Sequence, residues 1–235
     1  MNNATISADI IASTSLSNNE QVDLSVKINR LLKLLNERHN VDNKQLFFGR
    51  LIKGDYIECF LENPQMALRT ALLLKMLVKS FSLEPLPDGG GMNKRRMLFR
   101  TYGIRISIAI GKMSQVDIAK GILNGEAIYR SGRRIEEQHT SHKQKVIIKN
   151  TLFFDSDNEF TTDLFESIIG LFDTILNKAT PGQSEVVYLK LLGNSEKEIA
   201  DTLKVSQPSV NRQSKAVGWN AIERALIFYE KYNFE

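Results

Sequence analysis

Cysteine is almost absent: Cys59 is the only one in 235 residues. A lone thiol excludes an intramolecular disulfide. Its place in the apolar run YIECFL suits a small core residue better than a nucleophile. Long apolar runs are missing too. No stretch of eighteen apolar residues occurs, so neither a membrane span nor a membrane partner is expected. The opening MNNATISADII lacks a basic segment followed by an apolar one. No export signal is read there, and the expected location is the cytoplasm. Internal repeats and low-complexity tracts do not stand out. Net charge is scarce at the C-terminal end, where residues 181–235 hold seven Lys/Arg and seven Asp/Glu. The formal +4 of the chain therefore lies upstream, notably at Lys94, Arg95, Arg96, Arg100 and Arg105.

What remains is ordinary globular material: 42% hydrophobic and 25% charged residues, enough for one large domain or two modest ones. The most informative stretch is SEKEIADTLKVSQPSVNRQSKAVGW, which begins at Ser195. Ser195 and Glu198 form a capping box at a helix start. Ile199 and Leu203 share one face of that helix, and Ala200 is small where a second helix must cross. Lys204 stands in the turn and Val205 reads as an inward apolar plug. Ser206 is an N-cap and Pro208 sits in the first turn, where its missing amide costs nothing. Val210 points back between the helices. This is a helix-turn-helix. Its second helix offers Ser206, Gln207, Ser209, Asn211, Arg212 and Lys215 as donors to base edges and phosphates, so DNA is the expected partner. Thr180, Pro181 and Gln183 open a preceding helix, and Trp219, Ile222, Leu226 and Tyr229 repeat at helical spacing after it. A neutral unit gains little from counterion release. Tight binding then needs a homodimer or help from the rest of the chain, and a pure protein-interaction module stays open.

Upstream, the order of elements reads strand, helix, strand, strand, helix, strand. A first strand lies near Thr5 to Ile11, and a helix carries Leu24, Ile28, Leu31, Leu32 and Leu35. A hairpin turns at Gly54-Asp55, and a buried helix starts at Asn63-Pro64. PLPDGGG makes a loop, and YGIRISIAIG alternates as a strand. KRRMLFR reads as a solvated strand start and loop, the alternative being that it supplies the phosphate contacts the neutral C-terminal part lacks. A further strand is expected at KVIIKN. The fold class is α+β: a split βαβ, ferredoxin-like N-terminal domain over 1–155, followed by an all-α helix-turn-helix domain over 181–235. A connecting helix over 156–180 carries two apolar rows, Leu164/Ile168/Leu171/Ile175 and Phe165/Ile169/Phe172/Leu176. That face is too wide to be a solvated linker. It packs on the N-terminal domain, on the helix-turn-helix or on a second copy, and the intramolecular reading is favoured.

Two carboxylates are placed unusually: Asp9 ends the first strand, and Asp55 sits at the hairpin tip. A ferredoxin-like sheet brings those strands side by side. Paired carboxylates with a backbone carbonyl suit Mg²⁺ and a triphosphate, since Mg²⁺ takes oxygen ligands. The bland alternative is that Asp55 makes a turn and Asp9 caps a loop.

At ADIIAST, KGDYIECF, IRISIAIGKM and NGEAIYRSGRRIEE the N-terminal part resembles the catalytic domain of class III nucleotidyl cyclases. The resemblance implies a cyclase-type βαββαβ fold. It implies Asp9 and Asp55 as metal ligands, the carbonyl of Ile10 as a third, and Arg133, or Arg134 with a one-residue shift, as the transition-state arginine. It also implies a nucleotide ligand. Leu51 stands where cyclases keep a base-selecting lysine, Tyr129 where they keep a ribose-orienting asparagine, and Ile122 near the second base reader. Loss of those groups removes specificity and orientation together. Over nearly its whole length the chain is similar to the SatD family of small bacterial proteins. The likeness rests on the D-I-I-x-S start, the G-D hairpin, the I-R-x-x-I-x-I-G strand, the double-arginine helix and the E-I-A…S-Q-x-S-V-x-R close. The expectation is a DNA-binding transcriptional regulator with a catalytically degenerate, cyclase-like sensor or dimerisation domain, not an enzyme. An active metal-dependent nucleotidyl cyclase or nucleotidyltransferase and a protein-interaction adaptor are the alternatives.

Overall fold

The structure is a computed structural model that describes residues 2–40, 46–84, 93–141, 148 and 150–234. β1 (Asn3–Ile10) is central in a five-stranded sheet, because every second residue on each of its faces finds a partner layer. The sheet order is β2 (Phe47–Ile52), β3 (Tyr56–Leu61), β1, β4 (Ile104–Gly111) and β7 (Leu152–Ser156). All neighbours are antiparallel except β7, which runs parallel to β4. Alternation sorts the two faces. Ala4, Ile6, Ala8 and Ile10 are buried in the main apolar core with Ile57, Cys59, Ile106 and Ile108. Thr5, Ser7 and Asp9 face the other way, toward α4 (Glu126–Ser141), where the Ser131 hydroxyl bonds Thr5 at 3.1 Å and Ser7 at 2.9 Å.

The apolar face is covered by α1 (Asn18–His39) and α2 (Ala67–Ser80). Ser17 and Glu20 close a capping box on α1, and Leu24, Ile28, Leu31, Leu32 and Leu35 are its buried stripe. α2 is buried over most of its length. Its Lys75, fully enclosed, reaches Asp173 at 3.2 Å and Thr151 at 2.7 Å. Asp173 belongs to α5 (Glu159–Asn177), which packs on β7 with Phe165, Ile169, Phe172 and Leu176 inward. The intramolecular packing expected for this helix is what the structure has, although its second row is only partly covered.

One sequence expectation changes, and one element was not anticipated. KRRMLFR is not a strand start: it is α3 (Lys94–Tyr102), capped by Asn93. Its Arg96 is buried against Glu20 at 2.6 Å, so it is not a free surface cation. Residues after Gly111 form a two-stranded hairpin, β5 (Met113–Asp117) and β6 (Ile122–Gly125), that the irregular sequence did not announce. The PLPDGGG loop and most of the expected KVIIKN strand lie outside the described residues.

The C-terminal part is all helical: α6 (Pro181–Leu191), α7 (Glu196–Leu203), α8 (Gln207–Ala216) and α9 (Trp219–Lys231). The architecture is thus a mixed α/β sheet region followed by a helical bundle. The two share apolar packing. Val187, Leu191, Trp219, Ile222, Leu226 and Tyr229 belong to the same core as the sheet, and Phe165, Tyr229 and Phe234 stack within 4.8–5.5 Å. Val186, Ile199, Ala200 and Val210 form a separate small core under α7 and α8. Guanidinium groups clamp the end of α6. Arg69 donates to the Leu191 carbonyl at 2.9 Å while pairing with Glu230, and Arg38 donates to the Leu192 carbonyl at 3.3 Å. Such donors satisfy carbonyls that a helix end leaves open.

Candidate functional site

The helix-turn-helix is built by local chemistry. The Ser195 hydroxyl accepts from the Glu198 amide, and the Glu198 carboxylate accepts from the Ser195 amide at 2.7 Å. Lys204 takes the left-handed conformation, φ 53° and ψ 43°, that ends α7. This position usually favours glycine, and a lysine there carries a modest strain. Val205 donates its amide to Ala200 at 3.1 Å, but its side chain is 40% exposed, so it is not the inward plug expected. Backbone bonding sets the turn while the side chain points out. Ser206 occupies the N-cap position with extended backbone and makes no side-chain cap bond. Its hydroxyl is therefore not committed to holding the helix.

The expected recognition residues divide into two groups. Ser206, Gln207, Arg212 and Lys215 are exposed, whereas Ser209 and Asn211 are half-buried. Asn211 donates its amide to both Glu196 oxygens at 3.2 Å, and Lys190 pairs with the same carboxylate at 3.1 Å. That triad ties α6, α7 and α8 together. The Lys190 bond holds the Glu196 carboxyl below its usual range against the opposing effect of burial, with Asn211 adding to it. Glu196 and Lys190 were missed in the sequence, because fifteen residues separate Glu196 from Asn211 and no helical period links them. Charge within the neutral segment is sorted. Residues 204–216 carry Lys204, Arg212 and Lys215 with no acid, while Glu196, Glu198 and Asp201 lie on α7.

At one end of the sheet, Asp9 pairs in register with Tyr56 on β3 and Arg105 on β4. Asp55 is the next residue out along the β2–β3 hairpin, and its carbonyl accepts the Ile10 amide at 3.0 Å. Both carboxylate-bearing segments thus arrive at the same edge. The turns that deliver them are tight: Ala12, Lys53 and Gly54 all have positive φ, at 56°, 53° and 83°. Two partners not foreseen from the sequence complete the corner. The buried Arg105 guanidinium lies 3.5 Å from Asp9, and the Ser13 hydroxyl donates to Asp55 at 2.9 Å. Burial pushes the Tyr56 phenol up. The Ser7 hydrogen bond opposes that, and the nearby Glu58, Glu136 and Asp9 add to it.

The remaining expected residues are dispersed. Arg133 is exposed on α4. Arg134 is held toward α5 by Glu166 at 3.0 Å and lies over the Phe153 ring. Tyr129 is exposed and donates to Asn124 at 2.8 Å. Among the described residues no group of three or more His, Cys, Asp or Glu side chains gathers as a metal cluster. A cleft of about 950 Å³ opens elsewhere, between Asn2, Glu62, Lys112, Asp157 and Phe234, and none of the candidate residues line it. No helix among the described residues is long and apolar enough to cross a membrane. A scan against protein-family models and a search of curated proteins find no match.

Proposed function

We propose that this chain is a DNA-binding regulator whose α7–α8 unit contacts DNA and whose sheet region is a cyclase-like, catalytically degenerate sensor. The observation that carries the reading is the charge sorting on the helix-turn-helix: an acid-free turn and recognition helix with Arg212 and Lys215 exposed. Local potential at the contacting face, not the net charge of the segment, is what phosphates meet. Arg212 and Lys215 act as phosphate or base donors, with Ser206 and Gln207 beside them. Asn211 orients α8 through Glu196 before any contact is made. The strand order β2-β3-β1-β4 supports a ferredoxin-like, cyclase-type reading of the sheet, with β7 added at the edge.

The sensor reading rests on Asp9 and Asp55. Their oxygens and the Ile10 carbonyl fit Mg²⁺ in kind, because that ion takes hard oxygen donors and phosphate oxygens. Bound Mg²⁺ would supply charge for a nucleotide's phosphates. Arg105 already offsets part of the negative charge, and Ser13 already occupies a lone pair of Asp55. These contacts point to a weak, nucleotide-assisted site. Leu51, Tyr129 and Ile122 give no base or ribose contacts of the cyclase kind, and Arg134 is engaged by Glu166, which favours sensing over turnover.

The test is fluorescence anisotropy of the full chain on genomic DNA fragments at several salt concentrations. Arg212→Ala/Lys215→Ala is expected to weaken binding and flatten the salt slope by about two phosphate contacts. Equal affinity and slope for both proteins, or no binding at low salt, would overturn the reading and favour the adaptor alternative.

A further inference from the structure

Beside its buried row, α5 carries a second apolar row, set between the core-facing side and the exposed polar side of Asp163, Ser167 and Thr174. Leu164, Ile168, Leu171 and Ile175 fall within an arc of about 60° on a helix of 3.6 residues per turn. Leu171 is 67% exposed and Phe160, one turn before Leu164, is 72% exposed. Leu164, Ile168 and Ile175 are only partly covered. Phe228 of α9, itself 47% exposed, stands beside the buried Phe165 ring at 6.1 Å and widens the strip. Among the described residues nothing covers Leu171. An amphipathic surface helix normally places polar residues here.

The charges along this strip differ in sign from end to end. Glu159 and Asp163 are exposed near the start of α5, and Lys178 is exposed just past its end. Asp163, Ser167, Thr174 and Lys178 run along one flank of the apolar row. We infer that α5 pairs antiparallel with α5 of a second copy of this chain, forming a two-fold dimer.

The apolar row is self-complementary in that direction. One register sets Leu164 against the second copy's Ile175 and Ile168 against its Leu171, and two-fold symmetry repeats both pairs. In the same register Lys178 is level with the second copy's Thr161. It then lies two residues, about 3 Å along the axis, from both Glu159 and Asp163. Two-fold symmetry brings the same flank of each helix together, so Lys178 meets the second copy's Asp163, while Glu159 points away from the seam. A parallel pair would keep Asp163 and the second copy's Lys178 roughly 22 Å apart along the axis. The antiparallel choice also sets each helix's positive end beside the other's negative end. The surface is isologous and closes at two copies. The inference rests on the α5 face and stands whether or not α8 binds DNA.

Sedimentation equilibrium of the full chain, across micromolar concentrations, is expected to show reversible association to twice the 26.7 kDa chain mass. Leu171→Glu is expected to weaken it roughly tenfold or more, the order seen on losing a central interface anchor. Its side chain is exposed, so unchanged circular dichroism is expected to show that the fold is retained. Asp163→Lys and Lys178→Glu are each expected to weaken association by roughly fivefold at low salt. The double variant Asp163→Lys/Lys178→Glu is expected to regain wild-type association. A monomer at every concentration, or a dimer indifferent to Leu171→Glu, would overturn the pairing. Failure of the double reversal to restore what each single reversal loses would overturn its antiparallel direction.

Discussion

Glu20 shows how one residue serves two structures. Its carboxylate closes the capping box of α1 through the Ser17 amide, and it receives Arg96 of α3 and the Glu84 amide. Burial pushes its carboxyl up, but Arg96 and the two amides outweigh that and bring it down to about 2. A carboxylate whose folded value lies below its unfolded one stabilises the fold fully above the unfolded value, near 4.3. That contribution fades as pH falls toward about 2. Urea midpoints of wild type and Glu20→Gln should differ most above pH 5 and converge on acidification. A gap that ignores pH would contradict this account. Half of the arrangement was legible. Ser17 and Glu20 are three residues apart, so the cap is a local pattern, while Arg96 is 76 positions away and looked like one more surface cation. Asn211 is a second case: its type suits a base edge, while its bond to Glu196, fifteen positions away, is not written in any local pattern.

At the scale of elements, what reads well is what is written locally. The capping boxes at Thr180 and Ser195, the αL turn at Lys204 and the periods of α1 and α9 are short-range signals, and the helices start where those signals place them. The β5–β6 hairpin carries no strict alternation; α3 has only the Asn93 cap as a local signal, and its buried Arg96 is held by the distant Glu20. The contact between α2 and α5 belongs to this second kind. Lys75 and Asp173 are enclosed together, with Thr151 donating to Asp173 at 2.5 Å. Asp173→Ala would leave a buried ammonium without its counter-charge, a loss of about 3–5 kcal/mol. Lys75→Met/Asp173→Leu should recover much of that loss, since an apolar pair avoids the desolvation penalty. Chemical denaturation of the three proteins decides it: if the single and double variants are equally unstable, the ion pair is not the cause.

Taken whole, the molecule carries α7 and α8 on helices that are packed to the sheet region. α6 is clamped at its end by Arg69 and Arg38, α9 shares the sheet's core, and α7 and α8 close a separate small core on Val186 of α6. The order of these parts is legible along the chain, but continuity of packing between them is a property of three dimensions. The α5 row was readable as apolar, yet which of its two rows faced inward was not. The pair of carboxylates was legible as a juxtaposition; Arg105 and Ser13 stand inside the motifs IRISIAIGKM and ADIIAST, but that they reach Asp9 and Asp55 depends on strand register and a turn.

One consequence follows from two scarce side chains. Cys59 is fully enclosed in β3, with its thiol pushed up by burial, and Trp219 opens α9 at the other end of the shared core. Each is the single residue of its kind. The protein therefore carries one chemical reporter in the sheet and one optical reporter in the bundle, with no labelling needed. Thiol reagents should reach Cys59 only when the sheet opens, and Trp219 emission should change only when the bundle does. If the continuous core makes one cooperative unit, the two denaturation curves will superimpose. Separated midpoints would show the bundle detaching from a still-folded sheet.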